Sequence, residues 1–171
     1  MGLYGIKYLS FDGKKVTSPH YSLNWPKSGK VKATCSVKKF PNSSDPFEFF
    51  DQFTTYNHHD ISNCTCGIYA YDGFYFPGAY KYEVRGRFST IPFLVEGFGT
   101  VVVGENGWKA TEAKIINPVY VAKYNCNGIL DYTKVSKYFN LDCIAEDHAK
   151  YICEQSWIDN GYRKSRGRWN E

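Results

Sequence analysis

From Lys30 to Lys38 the chain alternates, with Val31, Ala33, Cys35 and Val37 on one parity and Lys30, Lys32, Thr34, Ser36 and Lys38 on the other. Successive side chains of a strand point to opposite faces, so this period of two predicts a half-buried β-strand with Cys35 turned inward. Tyr4, Ile6 and Tyr8 against Leu3, Gly5 and Lys7 predict an N-terminal strand in the same way, ended by a tight turn at Asp12-Gly13. Pro19, Pro26 and Gly29 mark residues 18–30 as loop, with Trp25 as a lid on the core edge. At 45–55 the period changes: Asp45 as N-cap, Pro46, Glu48 as capping-box partner and Phe47, Phe50 and Phe53 at helical spacing predict a short helix.

Strand character returns in "GIYAY" (67–71), and "DGFYFPG" (72–78) reads as a turn-rich loop. The stretches 79–91 and 93–104 are two further strands, the second punctuated by Gly97 and Gly99, where a bulge or a close backbone approach is expected. Asn106-Gly107 turns the chain into another strand over 105–115, and "PVYVA" (118–122) is the last. From Asp131 the pattern is helical. Tyr132, Val135 and Phe139 share one face, and a second helix follows with Ile144, Ala145, His148, Ile152 and Trp157 along its stripe, stopping at Gly161. The expectation is an α+β chain: a mainly antiparallel β-sheet, sandwich or partly open barrel, with a short helix near 45–55 and two C-terminal helices.

A length of 171 residues fits a single domain, 1–171, ending in a mobile basic tail at 162–171. The 31 aromatic residues (15 Tyr, 12 Phe, 4 Trp) tilt the composition toward pleated sheet, where flat rings cover a face well. The formal charge of +4 is too weak to favour nucleic acid by itself. The N-terminus lacks the apolar stretch of a secretory signal, and no run of about 18 apolar residues exists to span a bilayer. A cytoplasmic location is therefore expected, in the host cytoplasm if the chain is phage-encoded. There, six cysteines read as thiols or ligands rather than as a disulfide framework.

"HHDISNCTCG" (58–67) concentrates the soft ligands. Cys64 and Cys66 are spaced so that both sulfurs can reach one ion from a tight turn. His58 or His59 lies five or six residues before Cys64, and Cys35 can add a fourth ligand from a neighbouring strand, giving a Cys3His zinc site. The competing reading makes Cys35 and Cys66 small buried apolar residues and the two histidines solvated loop residues.

Thr17 to Val121 resembles an uncharacterised group of small bacterial and phage proteins. The matching pieces are Ser18-Pro19, Trp25-Pro26, Ala33-Thr34-Cys35, "CTCGIYA" at 64–70 and "GWKA" at 107–110. The resemblance implies the pairing of a separated Cys with an upstream His and a Cys-x-Cys, and it carries no known activity. The helix at 45–55 looks like an insertion relative to that group, and the offset histidine spacing leaves the choice between His58 and His59 open.

An enzyme is the least supported class. No acyl-transfer signature surrounds Cys64, and "GFGTVVVG" lacks both the Lys-Ser/Thr and the following helix of a phosphate loop. The expectation is a non-enzymatic, zinc-stabilised interaction protein of phage or mobile-element origin that binds a host protein. The alternative is a nucleic-acid or nucleotide binder using an aromatic and basic strand surface made of Phe74, Tyr75, Phe76, Lys81, Arg85 and Arg87.

Overall fold

A long hairpin organises the sheet: β8 (Ser89–Gly104) and β9 (Gly107–Tyr120) pair from Gly104↔Gly107 at the turn to Phe93↔Pro118 at the base. This computed structural model describes residues 2–18, 23–38, 53–56, 61, 66–74, 89–121, 132–165 and 168–170. β1 (Leu3–Phe11) lies antiparallel along the first half of β8, from Leu3↔Gly97 to Phe11↔Ser89. The Asp12 turn follows as expected, with Asp12 Oδ1 accepting the backbone N–H of Lys14 and of Lys15. It leads into β2 (Val16–Thr17), which pairs with β1 and with β3 (Asn24–Trp25).

β7 (Ile68–Tyr71) pairs with the start of β9, Ile68↔Ala110 to Tyr71↔Gly107, and touches β1 through the single bridge Ile6↔Tyr71. The pairings β1, β8, β9, β7 and back to β1 therefore form a circuit, so the sheet curls on itself. The protein is α+β with a mainly antiparallel sheet, consistent with a sandwich or a partly open barrel.

β8 runs through Pro92, which the sequence reading used to separate two strands. The bridge at Ile6 shows that even positions of β1 bond away from β8, so the pair Tyr8↔Pro92 is a non-bonded one and the proline nitrogen faces the β9 side. The β9 ladder ends at Phe93, the residue after Pro92, as expected beside a position with no N–H to donate. Both outcomes expected of the β8 glycines occur. Gly97 lies under the Trp108 ring, where a Cβ would sit 2.5 Å from Cζ3, and Gly99, at φ +73°, sits in the register shift between Phe98 and Val101. Thr111 Oγ1 holds that bulge by accepting the N–H of Thr100 at 3.1 Å.

Several expectations change. The strands expected over 105–115 and 118–122 are one strand, β9, which continues through Pro118 to Tyr120. The single strand over 30–39 is two strands: β4 (Lys30–Lys32) joins β9, whereas β5 (Cys35–Lys38) pairs with β6 (Phe53–Tyr56) in a separate two-stranded ladder. The cause is competition for one edge, since Ala33 N–H still donates to Thr111 C=O at 2.7 Å but the next position on β9, Ala110, is taken by Ile68 of β7. The helix expected near 45–55 ends in strand: Phe53–Tyr56 form β6, and residues 45–52 lie outside the described residues. Trp25 is not a lid but a core residue, 1% exposed, its indole Nε1 donating to Ser18 Oγ at 3.1 Å.

Two helices follow. α1 (Tyr132–Phe139) buries Val135 and Phe139, the latter edge-on to Phe93 at 5.7 Å. β10 (Ile144–Ala145) then runs parallel to the end of β9, so the expected start of the second helix is strand. α2 (Glu146–Asp159) buries Ala149, Cys153, Ser156 and Trp157, while His148 is exposed, so its inward stripe is rotated from the one expected. In the segment read as a mobile tail, β11 (Arg163–Ser165) and β12 (Arg168–Asn170) form a two-stranded ladder.

α2 also completes the sheet. Tyr4 is an even position of β1, so its backbone groups point away from β8. Its N–H donates to Ser156 Oγ at 3.1 Å, and its C=O accepts from Trp157 Nε1 at 2.9 Å. Side chains of a helix thereby occupy a strand edge that would otherwise be open to pairing.

Candidate metal centre

The expected ligands follow from how β9 shares its outer edge. β4 approaches it as far as Ala33, which bonds Thr111, and β7 begins on it at Ile68, opposite the next residue, Ala110, so the chain leaves β9 toward Cys35 and returns after Cys66 at adjacent positions. Gly67 makes the return possible. Its φ of +121° is costly for a residue with a Cβ, and a Cβ there would meet the Cβ of Lys109 at 3.5 Å. Cys66, half-buried, directly precedes that turn.

Cys35 opens β5 directly opposite Tyr56 of β6. His58 and His59 stand two and three positions beyond Tyr56 in the sequence, and with Cys64 they lie outside the described residues. Among the described residues no three His, Cys, Asp or Glu side chains gather in a metal-binding group. The fold thus brings the backbone of Cys35 to the strand that precedes the histidines, and Cys66 lies two residues before Ile68, which pairs with the β9 residue next to the one where the Cys35 segment departs.

Of the expected binding surface, Phe74 is half-buried and packs against the core, with Lys150 Nζ of α2 5.6 Å from its ring centroid. Tyr75, Phe76, Lys81, Arg85 and Arg87 lie outside the described residues. Among the described residues, Tyr120 and four others are large apolar side chains left exposed. Tyr69 and Tyr71 on β7 are 39% and 44% exposed, and on α2 Tyr151 and Ile158 are 63% and 56% exposed. Strict alternation in "GIYAY", with Ile68 and Ala70 inward, was the signal that could have singled out the two β7 tyrosines.

Four titratable groups are held in dense surroundings. Asp72, 2% exposed, follows β7, and its backbone N–H donates to Asn106 C=O at 3.2 Å. Burial pushes the Cys153 thiol up to about 12, and the nearby Asp72 carboxylate and Glu154 add to that rise. Lys7 has its Nζ 2.7 Å from Tyr69 C=O. Desolvation lowers its pKa to about 8, although part of the side chain still reaches water. Cys143 lies in the connection after α1, its sulfur 3.2 Å from Ser136 Oγ. Its thiol is raised chiefly by burial.

Comparison with known protein families, with characterised proteins and with solved structures gives no match for this chain. Among the described residues no helix is long and apolar enough to cross a membrane.

Proposed function

We propose that the protein is a non-enzymatic, zinc-stabilised interaction module in which Cys35, one of His58 and His59, Cys64 and Cys66 close a tetrahedral Cys3His site. The observation that supports this is the register Cys35↔Tyr56 together with the departure at Thr111 and the return at the adjacent Ala110. Paired strand residues stand about 5 Å apart, and two or three residues of chain reach at most about 7–10 Å further, so either histidine has the span to meet a Cys35 thiolate across one ion. Four soft ligands leave no open coordination position, which makes such a metal structural rather than catalytic. It would staple the β5–β6 ladder, which is not paired to the main sheet among the described residues, to the β4 and β7 ends on β9.

The partner in this reading is a host protein, with the chain encoded by a phage or mobile element and acting in the host cytoplasm. The exposed pair Tyr151 and Ile158 supports a protein contact, because residues seven apart share a helix face. Metal analysis of protein purified without a histidine tag tests the first half. One equivalent of zinc is expected, lost in the Cys64→Ser and Cys66→Ser variants together with a drop in melting temperature. Metal-free protein that melts like the native form would overturn it.

A further inference from the structure

β1 accompanies β8 only as far as Leu3↔Gly97. Beyond Gly97 the hairpin continues with β9 on one side of β8 and, among the described residues, no paired strand on the other. The turn fixes which groups face that open side. Gly104↔Gly107 closes a two-residue hairpin loop, so Gly104 and Val102 exchange hydrogen bonds with β9, whereas Val101 and Val103 direct their N–H and C=O away from it. The side chains of Val101 and Val103 lie opposite Ala110 and Trp108 and pack against the core while staying partly exposed. Val102 is half-buried on the other face. At Tyr4 the chain seals a strand edge with Ser156 and Trp157 of α2. Here residues 100–104, "TVVVG", carry neither charge nor proline, the usual guards against edge pairing. The bulge at Gly99 precedes this run, and the ladder is regular from Val101 to Gly104.

We propose that this edge pairs with the same edge of a second copy of the chain, antiparallel about a two-fold axis at Val102, so that two β8 strands join the sheets of a homodimer. With Val102 opposite the partner's Val102, Val101 falls opposite the partner's Val103, and the reverse. Both of these pairs are hydrogen-bonded ones, because each residue already turns its N–H and C=O outward, and together they supply about four backbone bonds. The run suits its own copy because it brings no charge against itself. Lys109 stands opposite Val102 on β9, so the two lysines lie three strand spacings apart, about 14 Å. The two Glu105 fall toward opposite ends of the shared ladder, about 20 Å apart. Both separations exceed the screening length of about 8 Å at physiological salt. The antiparallel sense also sets the body of each copy beyond the hairpin tip of the other, where the two do not collide. The inference does not depend on the metal, because β8 and β9 are paired with each other independently of Cys35, His58, His59 and Cys64.

The test is sedimentation velocity of the full-length, zinc-replete protein in reductant. A monomer–dimer equilibrium is expected, with dimer present at about 100 μM and lost on dilution, because an edge contact is a small interface. Val102→Lys sets two ammonium groups directly opposite each other and is expected to weaken association about tenfold or more, at an unchanged melting temperature. Val103→Pro removes an outward N–H that the β9 ladder does not use and should weaken it likewise. Val102→Cys, mildly oxidised, is expected to form a disulfide between copies beyond any formed by the native chain, since a non-bonded antiparallel pair has its Cα atoms about 4.5 Å apart. Thr100→Cys places its two thiols about 13 Å apart along the same ladder and should not cross-link. A chain that stays monomeric at about 200 μM overturns the proposal and leaves the edge to an extended segment of another protein. A dimer that neither Val102→Lys nor Val103→Pro weakens overturns it too, as does cross-linking of Thr100→Cys as fast as that of Val102→Cys.

Discussion

Replacing Ser156 by alanine isolates the contact that joins α2 to β1. The Ser156 hydroxyl accepts from the Tyr4 N–H and donates to Cys153 C=O at 2.9 Å, and the serine is 7% exposed. Alanine leaves the Tyr4 N–H on a partly buried strand edge without its acceptor, a loss of about 1–3 kcal/mol for a buried group. Tyr4 is half-buried, so water can recover some of that, and the lower half of the range applies. Alanine also forms helix better than serine by roughly 0.5 kcal/mol, which offsets part of the cost. The net expectation is about 1 kcal/mol, or a fall of about 2–4 °C in Tm for a chain of this size.

Thermal and urea unfolding measure the global effect, and hydrogen exchange at the Tyr4 amide measures the local one. Tyr4 should exchange faster in the variant while amides of the β8–β9 hairpin base do not. Trp157→Phe removes the partner bond to Tyr4 C=O, and because both bonds close on one residue, the double variant should depart from additivity by about 0.5 kcal/mol or more. If Ser156→Ala unfolds like the native chain and leaves exchange at Tyr4 unchanged, the helix does not seal this edge.

Gly97→Ala places a methyl 2.5 Å from the Trp108 ring, and overpacking of that kind costs about 1–3 kcal/mol, read as a lower urea midpoint that Trp108→Leu in the same chain partly restores. Lys7, with its folded pKa lowered to about 8, binds fewer protons folded than unfolded between about pH 8 and 10.5. Stability should therefore rise with pH across that window relative to Lys7→Met, and equal slopes in urea titrations would refute the assignment. Cys153, fully buried with a thiol pushed up to about 12, should resist iodoacetamide in the folded protein at pH 8 and react once urea unfolds it, as peptide mass mapping would show.

Much of the sheet was legible because burial on one face leaves a period of two in the chain. Leu3 to Phe11 and Gly107 to Ile115 needed nothing beyond that pattern and their turn residues, and the glycines of β8 announced their bulge and their close approach through the lack of a Cβ. The proposed metal ligands were legible only as a local cluster, since soft side chains at short spacing mark themselves whatever the fold around them. Trp25 was misjudged because flanking prolines describe the local backbone and say nothing of which cavity a ring enters. α2 was placed correctly but turned wrongly, for its exposed Tyr151 and Ile158 blur the apolar stripe that local pattern relies on.

By itself the sequence determined the element types, the hairpin turns and the chemistry available between His58 and Cys66. Tertiary structure alone decided which segment holds each strand edge: β7 displaces the chain at Ala33 and sends Cys35 into a second ladder, and Ser156 and Trp157 satisfy Tyr4 in place of a strand. The physical reason is that periodicity reports which side of a residue is buried. An edge, by contrast, has one set of hydrogen-bonding groups for which distant segments compete, and the winner is set by the whole sheet.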